Sequence, residues 1–252
     1  MIKLDGVSKK FATGTFGLSE INLAIDKGEF VFLVGATGSG KTTLFRILIR
    51  DLVPSEGKVR VGDLDVSTLP KSKLTTLRKM IGVVFQDLKL LNDRTIFENV
   101  VLPLDVSGET GLGAAEKVEK ILRKVGIFEH KDKFPVQLSG GELQRTAIAR
   151  ALVLSPQIIL ADEPTGNLDA ATSWEIVKIL SDINKEGTTV IMATHNTDIV
   201  KSMDMRTIHI DRGKIVKDEN IKHVVIKEKE KDEKGENKDD KEVKEKGEGK
   251  KE

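Results

Sequence analysis

The sequence predicts an α/β fold in which a largely parallel sheet is covered by helices, preceded by a β-rich beginning and joined by a helical lobe. Three observations support this prediction. Apolar segments of strand length alternate with segments of helical spacing along much of the chain. The first thirty residues instead contain short strand-like segments joined by glycine-rich turns. Residues from about 88 to 155 are mostly of helical character, which favours a separate lobe.

The first elements can be placed in chain order. Residues 2–7 and 21–25 are strand candidates in the β-rich beginning. Residues 30–34 form a continuous apolar run, which is typical of a strand buried on both faces. A glycine-rich turn follows this strand, and a helical pattern then covers residues 42–49. This order of strand, turn and helix starts the predicted parallel sheet.

Two more buried strands are expected beyond the helical lobe, at residues 158–161 and 189–193. The segment between them, residues 171–183, places its apolar side chains at helical spacing. Because parallel strands need crossover connections of this kind, the three apolar strands are expected to lie in one mostly parallel sheet.

The composition excludes several classes of protein. The 252 residues include 41 Lys and Arg against 40 Asp and Glu, so the net charge of +1 gives no electrostatic case for a nucleic-acid binder. The absence of cysteine excludes a disulfide scaffold, a thiolate zinc site and a cysteine nucleophile. No apolar run approaches the roughly 20 residues of a membrane-spanning helix, and no signal peptide is recognisable. We therefore expect a cytoplasmic protein that reaches a membrane only through a partner.

The composition changes near the C-terminus. Residues 227–252 contain 10 Lys and 11 Asp or Glu, and they offer almost no apolar side chain to bury. Ordering such a segment would cost conformational entropy without a compensating gain. We therefore divide the chain into a folded domain over residues 1–222 and a charged tail over residues 223–252, which we expect to be disordered or transiently helical.

The first chemical motif directly follows the strand at residues 30–34. It matches the pattern G-x-x-x-x-G-K-[ST] in full, and its residues are Gly35, Ala36, Thr37, Gly38, Ser39, Gly40, Lys41 and Thr42, with Thr43 next. Glycines let the backbone wrap phosphates, and the helix N-terminus behind them favours an anion. Lys41 can reach the β- and γ-phosphates of a nucleotide, and Thr42 can ligate Mg²⁺. The alternative is a chance glycine-rich turn, against which the flanking strand and helix argue.

A second motif stands at the end of the strand predicted for residues 158–161. Asp162 and Glu163 follow the apolar run, and the carboxyl end of a parallel strand is the edge where ligands bind. Asp162 can hold Mg²⁺ through water, and Glu163 can polarise an attacking water molecule. Strands often end in acidic residues, so this signal gains its value from the phosphate-binding loop in the same chain.

A third motif precedes a helix-like segment and reads Leu138, Ser139, Gly140, Gly141 and Glu142. It resembles the signature sequence of the ABC ATPases, and Gln86, residues 166–169 and His195 occur in the order found in that family. The resemblance covers about residues 2–217. It implies a P-loop NTPase fold of the ABC nucleotide-binding-domain type, with an antiparallel N-terminal β part and a helical subdomain at about residues 88–155. It also implies hydrolysis of ATP, with Mg²⁺, to ADP and phosphate.

The resemblance implies roles for single residues. Phe11 stands where the family places an aromatic ring under adenine, although a core phenylalanine is the alternative. Gln86 resembles the loop residue that contacts Mg²⁺ and the attacking water, and that senses a membrane partner. His195 resembles the switch histidine that contacts the γ-phosphate. Together with Lys41 and Glu163, Gln86 and His195 form the expected catalytic set.

In this family the signature completes the ATP site of a second subunit. The resemblance therefore implies a homodimer on ATP binding, with Ser139, Gly140 and Gly141 contacting the other subunit's nucleotide and Asp169 at the interface. Many members have glutamine where this chain has Glu142, a departure that leaves the serine and the glycines intact.

The sequence around Gln86, over residues 81–100, resembles the branch of the family that acts in cell division. In that branch the ATPase moves an FtsX-like integral membrane protein, which controls cell-wall hydrolases. Two alternatives stay open: the ATPase subunit of a related exporter of the lipoprotein-release or macrolide-export type, and a soluble ABC ATPase acting in DNA repair or translation. A non-hydrolysing nucleotide-binding scaffold is a third.

Overall fold

The computed structural model describes residues 1–219, and its first 218 residues form one compact unit. The strands in this part of the chain are β1 (Ile2–Lys10), β2 (Phe16–Ile25), β3 (Phe30–Val34), β4 (Glu56–Val61), β5 (Leu64–Asp65), β6 (Ile81–Val84), β7 (Ile158–Asp162), β8 (Thr189–Thr194), β9 (Arg206–Asp211) and β10 (Lys214–Glu219). The α-helices are α1 (Lys41–Leu48), α2 (Leu74–Met80), α3 (Ile96–Val106), α4 (Leu112–Lys124), α5 (Gly140–Leu152), α6 (Ala170–Lys185) and α7 (Thr197–Ser202). No helix between residues 1 and 219 is long and apolar enough to cross a membrane.

The strands form two sheets. The first has the order β2-β1-β4-β5, and all its neighbouring strands are antiparallel. The second has the order β10-β9-β3-β8-β7-β6, in which the pairs from β9 to β6 are parallel. The predicted fold class, with a mostly parallel core sheet and an antiparallel N-terminal part, is confirmed.

The parallel sheet is buried on both faces, and alternate residues of its central strands enter different cores. In β3, Val31 and Leu33 belong to a core shared with the antiparallel sheet and α1. Phe30 and Phe32 belong to a second core, built with α3, α4, α5 and α6. This alternation explains why the central strands are apolar throughout, because a strand covered on both sides has no polar face.

The region expected to be helical contains α3, α4 and α5, but helix begins only at residue 96. Thr95 starts α3 through a capping box with Glu98. Asn99, fully buried in α3, accepts from the N–H of Leu91 and donates to its carbonyl, which ties down the loop before the helix. Residues 86–95 are therefore a fixed loop and not a helix.

The two N-terminal strands are longer than predicted, and β4, β5 and α2 lie in a stretch for which no element was predicted. The proposed boundary at residue 222 and the charged tail fall outside the described residues, so both stay predictions.

Candidate functional site

A cavity of about 390 Å³ opens where β3, β7 and β8 end, at the carboxyl edge of the parallel sheet. It brings together residues from all the sequence motifs except the signature and Asp169. The residues that line it are Phe11, Thr15, Phe16, Gly17, Thr37, Gly38, Gly40, Lys41, Thr42, Thr43, Gln86, Asp162, Glu163 and His195.

The glycine-rich loop between β3 and α1 passes close to neighbouring backbone. A Cβ atom on Gly35 would lie 2.3 Å from the carbonyl oxygen of Ile210, and one on Gly40 would lie 2.7 Å from that of Gly17. Gly40 also has a φ of 118°, in the region that favours glycine. The loop thus enters α1 in a conformation that only glycines allow, and α1 presents its N-terminus to the cavity.

Lys41 is buried beneath this loop. Its Nζ atom donates to the carbonyl oxygens of Gly35, at 2.8 Å, and Ala36, at 3.2 Å. It lies 3.5 Å from Oε1 of Glu163, whose side chain is also largely buried. A cation is therefore fixed at the point where the phosphate-binding loop meets the acidic end of β7.

Asp162 and Thr42 form the most direct contact between the two motifs. The Thr42 hydroxyl donates to Oδ2 of Asp162 at 2.8 Å. Oδ1 of Asp162 is buried and has no hydrogen-bond partner among the described residues. Burial raises the pKa of Asp162, and the hydrogen bond from Thr42 opposes that rise. A hydroxyl, a carboxylate oxygen with free lone pairs and the nearby amide of Gln86 are oxygen donors of the kind that Mg²⁺ prefers.

Glu163 is held in an unusual conformation. Its φ is +49°, and its backbone N–H donates to the carbonyl of Ala193 at 3.0 Å. Its Oε2 accepts from the backbone N–H of His195 at 3.3 Å and lies 2.8 Å from Nδ1 of the same ring. A left-handed non-glycine residue costs on the order of 1 to 3 kcal/mol, and such residues cluster at functional sites. This backbone conformation places the carboxylate of Glu163 between Lys41 and His195.

The two phenylalanines at the mouth of the cavity differ in their packing. The ring of Phe11 lies against Gly17, where a Cβ atom would approach its Cε2 to 2.6 Å. Phe16 is 57% exposed and was not among the predicted site residues. The sequence signal for Phe16 was a second aromatic residue five positions after Phe11. In the structure Phe16 begins β2, where it is aligned with Lys10 of β1.

The signature residues and Asp169 form a second group that does not line the cavity. Ser139 caps α5 and Asp169 caps α6, where its side chain accepts from the N–H of Thr172 at 2.9 Å. Hydrogen bonds from Thr172 lower the pKa of Asp169. A Cβ atom on Gly141 would lie 2.6 Å from Thr172 Cγ2, so glycine lets the two helix starts approach. Gly140 lines a smaller cavity of about 220 Å³, which Gln86 and Glu163 also line.

The loop after Gln86 is held by a residue that the sequence did not single out. Leu88 and Lys89 have φ values of 58° and 52°, which L residues rarely adopt. Their carbonyl oxygens accept hydrogen bonds from the guanidinium of Arg150 on α5, at 2.6 Å in the case of Lys89. Burial lowers the pKa of Arg150. Arg150 therefore joins the signature helix to the loop that carries Gln86.

An apolar groove of about 440 Å³ lies beside this loop. Its apolar side chains come from β6, the end of α3 and the residues around the end of α5, and they are Ile81, Val83, Phe85, Pro103, Val106, Ala151 and Leu154, with Ile49. The charged residues that line it are all cations, namely Arg78, Lys79 and Arg150. Val106 is 77% exposed. The groove is thus lined by apolar side chains and by three cations.

Comparison with known proteins gives consistent results. The sequence matches the protein family described as ABC transporter over residues 18–166. It is 45% identical to the cell division ATP-binding protein FtsE of Bacillus subtilis over 219 residues, which are 87% of this chain and 96% of that relative. It is 46% identical to the protein of the same name from Mycobacterium tuberculosis over 220 residues, again 87% and 96% of the two chains.

The fold is also similar to that of a solved structure, the dimeric post-hydrolysis state of the ATP-binding cassette MJ0796 bound to ADP and Pi. The TM-score is 0.80 at 34% identity, and the match covers 88% of this chain and 99% of that chain. Sequence and fold therefore agree over nearly the whole length of these proteins.

Proposed function

The chain belongs to the ABC transporter family of ATPases, and from this premise we propose that it hydrolyses ATP, with Mg²⁺, as a homodimer that acts in cell division. ATP-driven closure of the dimer moves an FtsX-like integral membrane protein, which controls cell-wall hydrolysis. The partner holds the ATPase at the inner face of the cell membrane. The name of the FtsE relatives supports the link to cell division.

One observation carries the proposed chemistry: Lys41, Asp162, Glu163 and His195 converge in a single cavity. Lys41 and the N–H groups at the start of α1 bind the phosphates. Glu163 accepts a proton from the attacking water, and its neighbour His195 contacts the γ-phosphate. Phe11 stacks on the adenine.

The residues of the cavity also fit Mg²⁺. Thr42, Asp162 and Gln86 would hold the ion, and the buried Oδ1 atom of Asp162 is the strongest sign of a missing partner. The chemistry that Mg²⁺ supplies when bound is neutralisation of the charge that develops on the phosphates.

The proposed homodimer explains the separation of the two groups of site residues. Ser139, Gly140, Gly141 and Asp169 lie together but outside the cavity that holds Lys41. A second copy in antiparallel orientation brings its signature to that cavity, so that each ATP is enclosed by two subunits. The dimeric state of the MJ0796 structure supports this arrangement.

The apolar groove beside Gln86 is the surface that we assign to the membrane partner. Its three lining cations call for an occupant with acidic residues around an apolar face, such as a short amphipathic helix of an FtsX-like protein. Because Arg150 lines the groove and also holds the loop after Gln86, an occupant would act on the ATP site through Arg150 and this loop.

Glu163→Gln tests the proposed chemistry. The substitution keeps the shape of the side chain but removes its basicity, so turnover should fall roughly 10²- to 10⁴-fold while ATP still binds. Phosphate release and size-exclusion chromatography measure both effects, and the variant should accumulate as an ATP-bound dimer. Glu116→Gln, on the exposed face of α4, is the matched control. Turnover close to that of the wild type would remove Glu163 from the role of general base.

A further inference from the structure

The first turn of α5 is held by one acidic side chain. Oε2 of Glu142 accepts hydrogen bonds from both the backbone N–H and the hydroxyl of Ser139, each at 2.7 Å. The N–H of Glu142 donates back to Oγ of Ser139 at 3.4 Å, which completes a capping box. The backbone hydrogen bond from Ser139, followed by that from its hydroxyl, lowers the pKa of Glu142. An ionised carboxylate therefore occupies the donors that an incoming phosphate would use.

Glu142 has a second partner from another segment. Its Oε1 lies 2.9 Å from Nε2 of His130, which ends the short 3-10 turn Phe128–His130 before the signature. Nδ1 of His130 is buried and has no hydrogen-bond partner within residues 1–219. Among the described residues, the contact with Glu142 is therefore the one that holds the polar atoms of the ring.

The remaining charged groups around this pair are few. Lys133, on the loop before the signature, faces Glu142 and favours its ionised form. On the neighbouring helix α4, Glu119 pairs with Lys131 at 2.7 Å and lies 3.9 Å from Arg123. Glu119, Lys131 and Arg123 together carry a net charge of +1 that is the same at pH 6 and pH 8. Histidine is the residue type whose charge changes over that range, and His130 is the histidine in contact with Glu142.

The capping arrangement conflicts with the role proposed for Ser139. For its hydroxyl to reach the γ-phosphate bound by a second subunit, it must leave Glu142. The carboxylate and the phosphate then lie at the same helix N-terminus, where two anions repel each other. A cationic His130 holds and neutralises Glu142, whereas a neutral ring leaves the repulsion in place.

We propose that Glu142 and His130 are positioning residues that control whether Ser139 is available to ATP, so that protonation of His130 favours closure of the dimer. This inference rests on the proposed function. Histidine is the side chain whose ordinary charge change falls between pH 5 and 8. In this proposal the closed dimer binds the proton of His130 more tightly than the open subunits do, so lowering the pH strengthens closure. By the same linkage, closure driven by ATP favours protonation of His130.

The test uses the Glu163→Gln chain with saturating Mg·ATP. Analytical ultracentrifugation measures the dissociation constant of its dimer at pH 6 and at pH 8. We expect the dimer to be about 5- to 10-fold tighter at pH 6. Adding His130→Lys supplies a permanent cation and should give a tight dimer at both pH values. Glu142→Gln removes the repelling charge but keeps the capping geometry, and it should give the same result. His130→Gln should give a weak dimer at both.

The outcomes are distinguishable. His195 is present in every variant, so a loss of pH dependence in the variants of His130 and Glu142 cannot be due to His195. A purely structural role for the pair would lower melting temperatures without removing the pH dependence. If His130→Lys and Glu142→Gln both keep the full pH dependence of the parent, the inference is wrong. If the parent forms no ATP-dependent dimer at either pH, the proposed function fails, and the inference falls with it.

Discussion

The carboxylate of Asp162 has one oxygen bonded to Thr42 and one that is buried without a partner among the described residues. Burial raises its pKa, so the folded chain disfavours the ionised form. The stabilising contribution of this group is therefore complete at low pH and is lost as the pH rises through the raised pKa of the folded state. The arrangement is unfavourable for stability alone, but it prepares the oxygen for a cation.

Asp162→Asn separates these two effects. Asparagine still accepts from Thr42 but has no charge to desolvate, so without metal the variant should melt at or slightly above the wild-type temperature, most clearly at high pH. Saturating Mg·ATP at about 100 times its Kd should raise the melting temperature of the wild type by roughly 5 to 10 °C, and that of the variant by much less. Scanning fluorimetry with and without Mg²⁺ measures this, with Asp182→Asn as a surface control. A full Mg²⁺-dependent rise in Asp162→Asn would contradict the assigned site.

Among the secondary-structure elements, α3 contributes Val106 to the groove assigned to the partner, and the loop before α3 carries a further exposed apolar residue, Leu91. Leu91 on the loop is 40% exposed and Val106 at the end of α3 is 77% exposed, whereas Leu90 is half-buried. Exposed apolar side chains beside an apolar groove are unfavourable unless something covers them.

We expect Leu91→Asp and Val106→Asp to abolish recruitment to membranes that contain the partner, while ATP binding persists. Both side chains are already solvent-accessible, so stability should change by no more than about 0.5 kcal/mol. Sedimentation with membranes measures recruitment. Leu112→Asp, an 86% exposed position at the start of α4, is the matched control. Recruitment of both variants at the wild-type level would show that the partner docks elsewhere.

The elements that were predictable have a strong local pattern. β3 and β8 are apolar on both faces, and Asp162 and Glu163 follow an equally apolar strand, so their place at one sheet edge followed from the sequence. β4 lacked such a signal, because only Val59 and Val61 of its six residues are buried.

The unpredicted parts of the site depend on contacts between distant segments. Arg150 reaches Lys89 across 61 positions, and no local pattern marks an arginine within a helix as a partner of a loop. The positive φ of Glu163 is equally invisible in the sequence, since the residue is neither glycine nor asparagine. Distant contacts and backbone strain are properties of the fold, and they require coordinates.

At the scale of the whole molecule, closure of the dimer can be followed through one residue. Trp174 is the only tryptophan, and the chain has no tyrosine. It lies on α6, which starts at Asp169, and at 41% exposure it stands outside the buried stripe that includes Ile176 and Leu180. Tryptophan is enriched among the residues that contribute most to binding at interfaces, so we expect Trp174 to contact the second subunit.

In the Glu163→Gln chain, Mg·ATP should move the emission of Trp174 to shorter wavelength, because closure removes water from the ring. ADP should not produce this shift. The change should weaken on dilution, since association of two subunits depends on concentration. If ATP leaves the emission spectrum unchanged at every protein concentration over a hundredfold range, Trp174 lies away from the interface between the two subunits.

The hydrogen bonds from Arg150 to the loop beyond Gln86 would couple the two ATP sites of the proposed homodimer. Ser139 and Arg150 stand at opposite ends of the same helix, α5, and Arg150 fixes the subunit's own glutamine loop. In the proposed dimer, the end with Ser139 would meet the neighbouring subunit's ATP. Because α5 is a rigid helix, a movement at one of its ends also displaces the other end. Loss of phosphate at one ATP site would therefore displace the glutamine loop of the other site, so the two ATP sites of the dimer would change together.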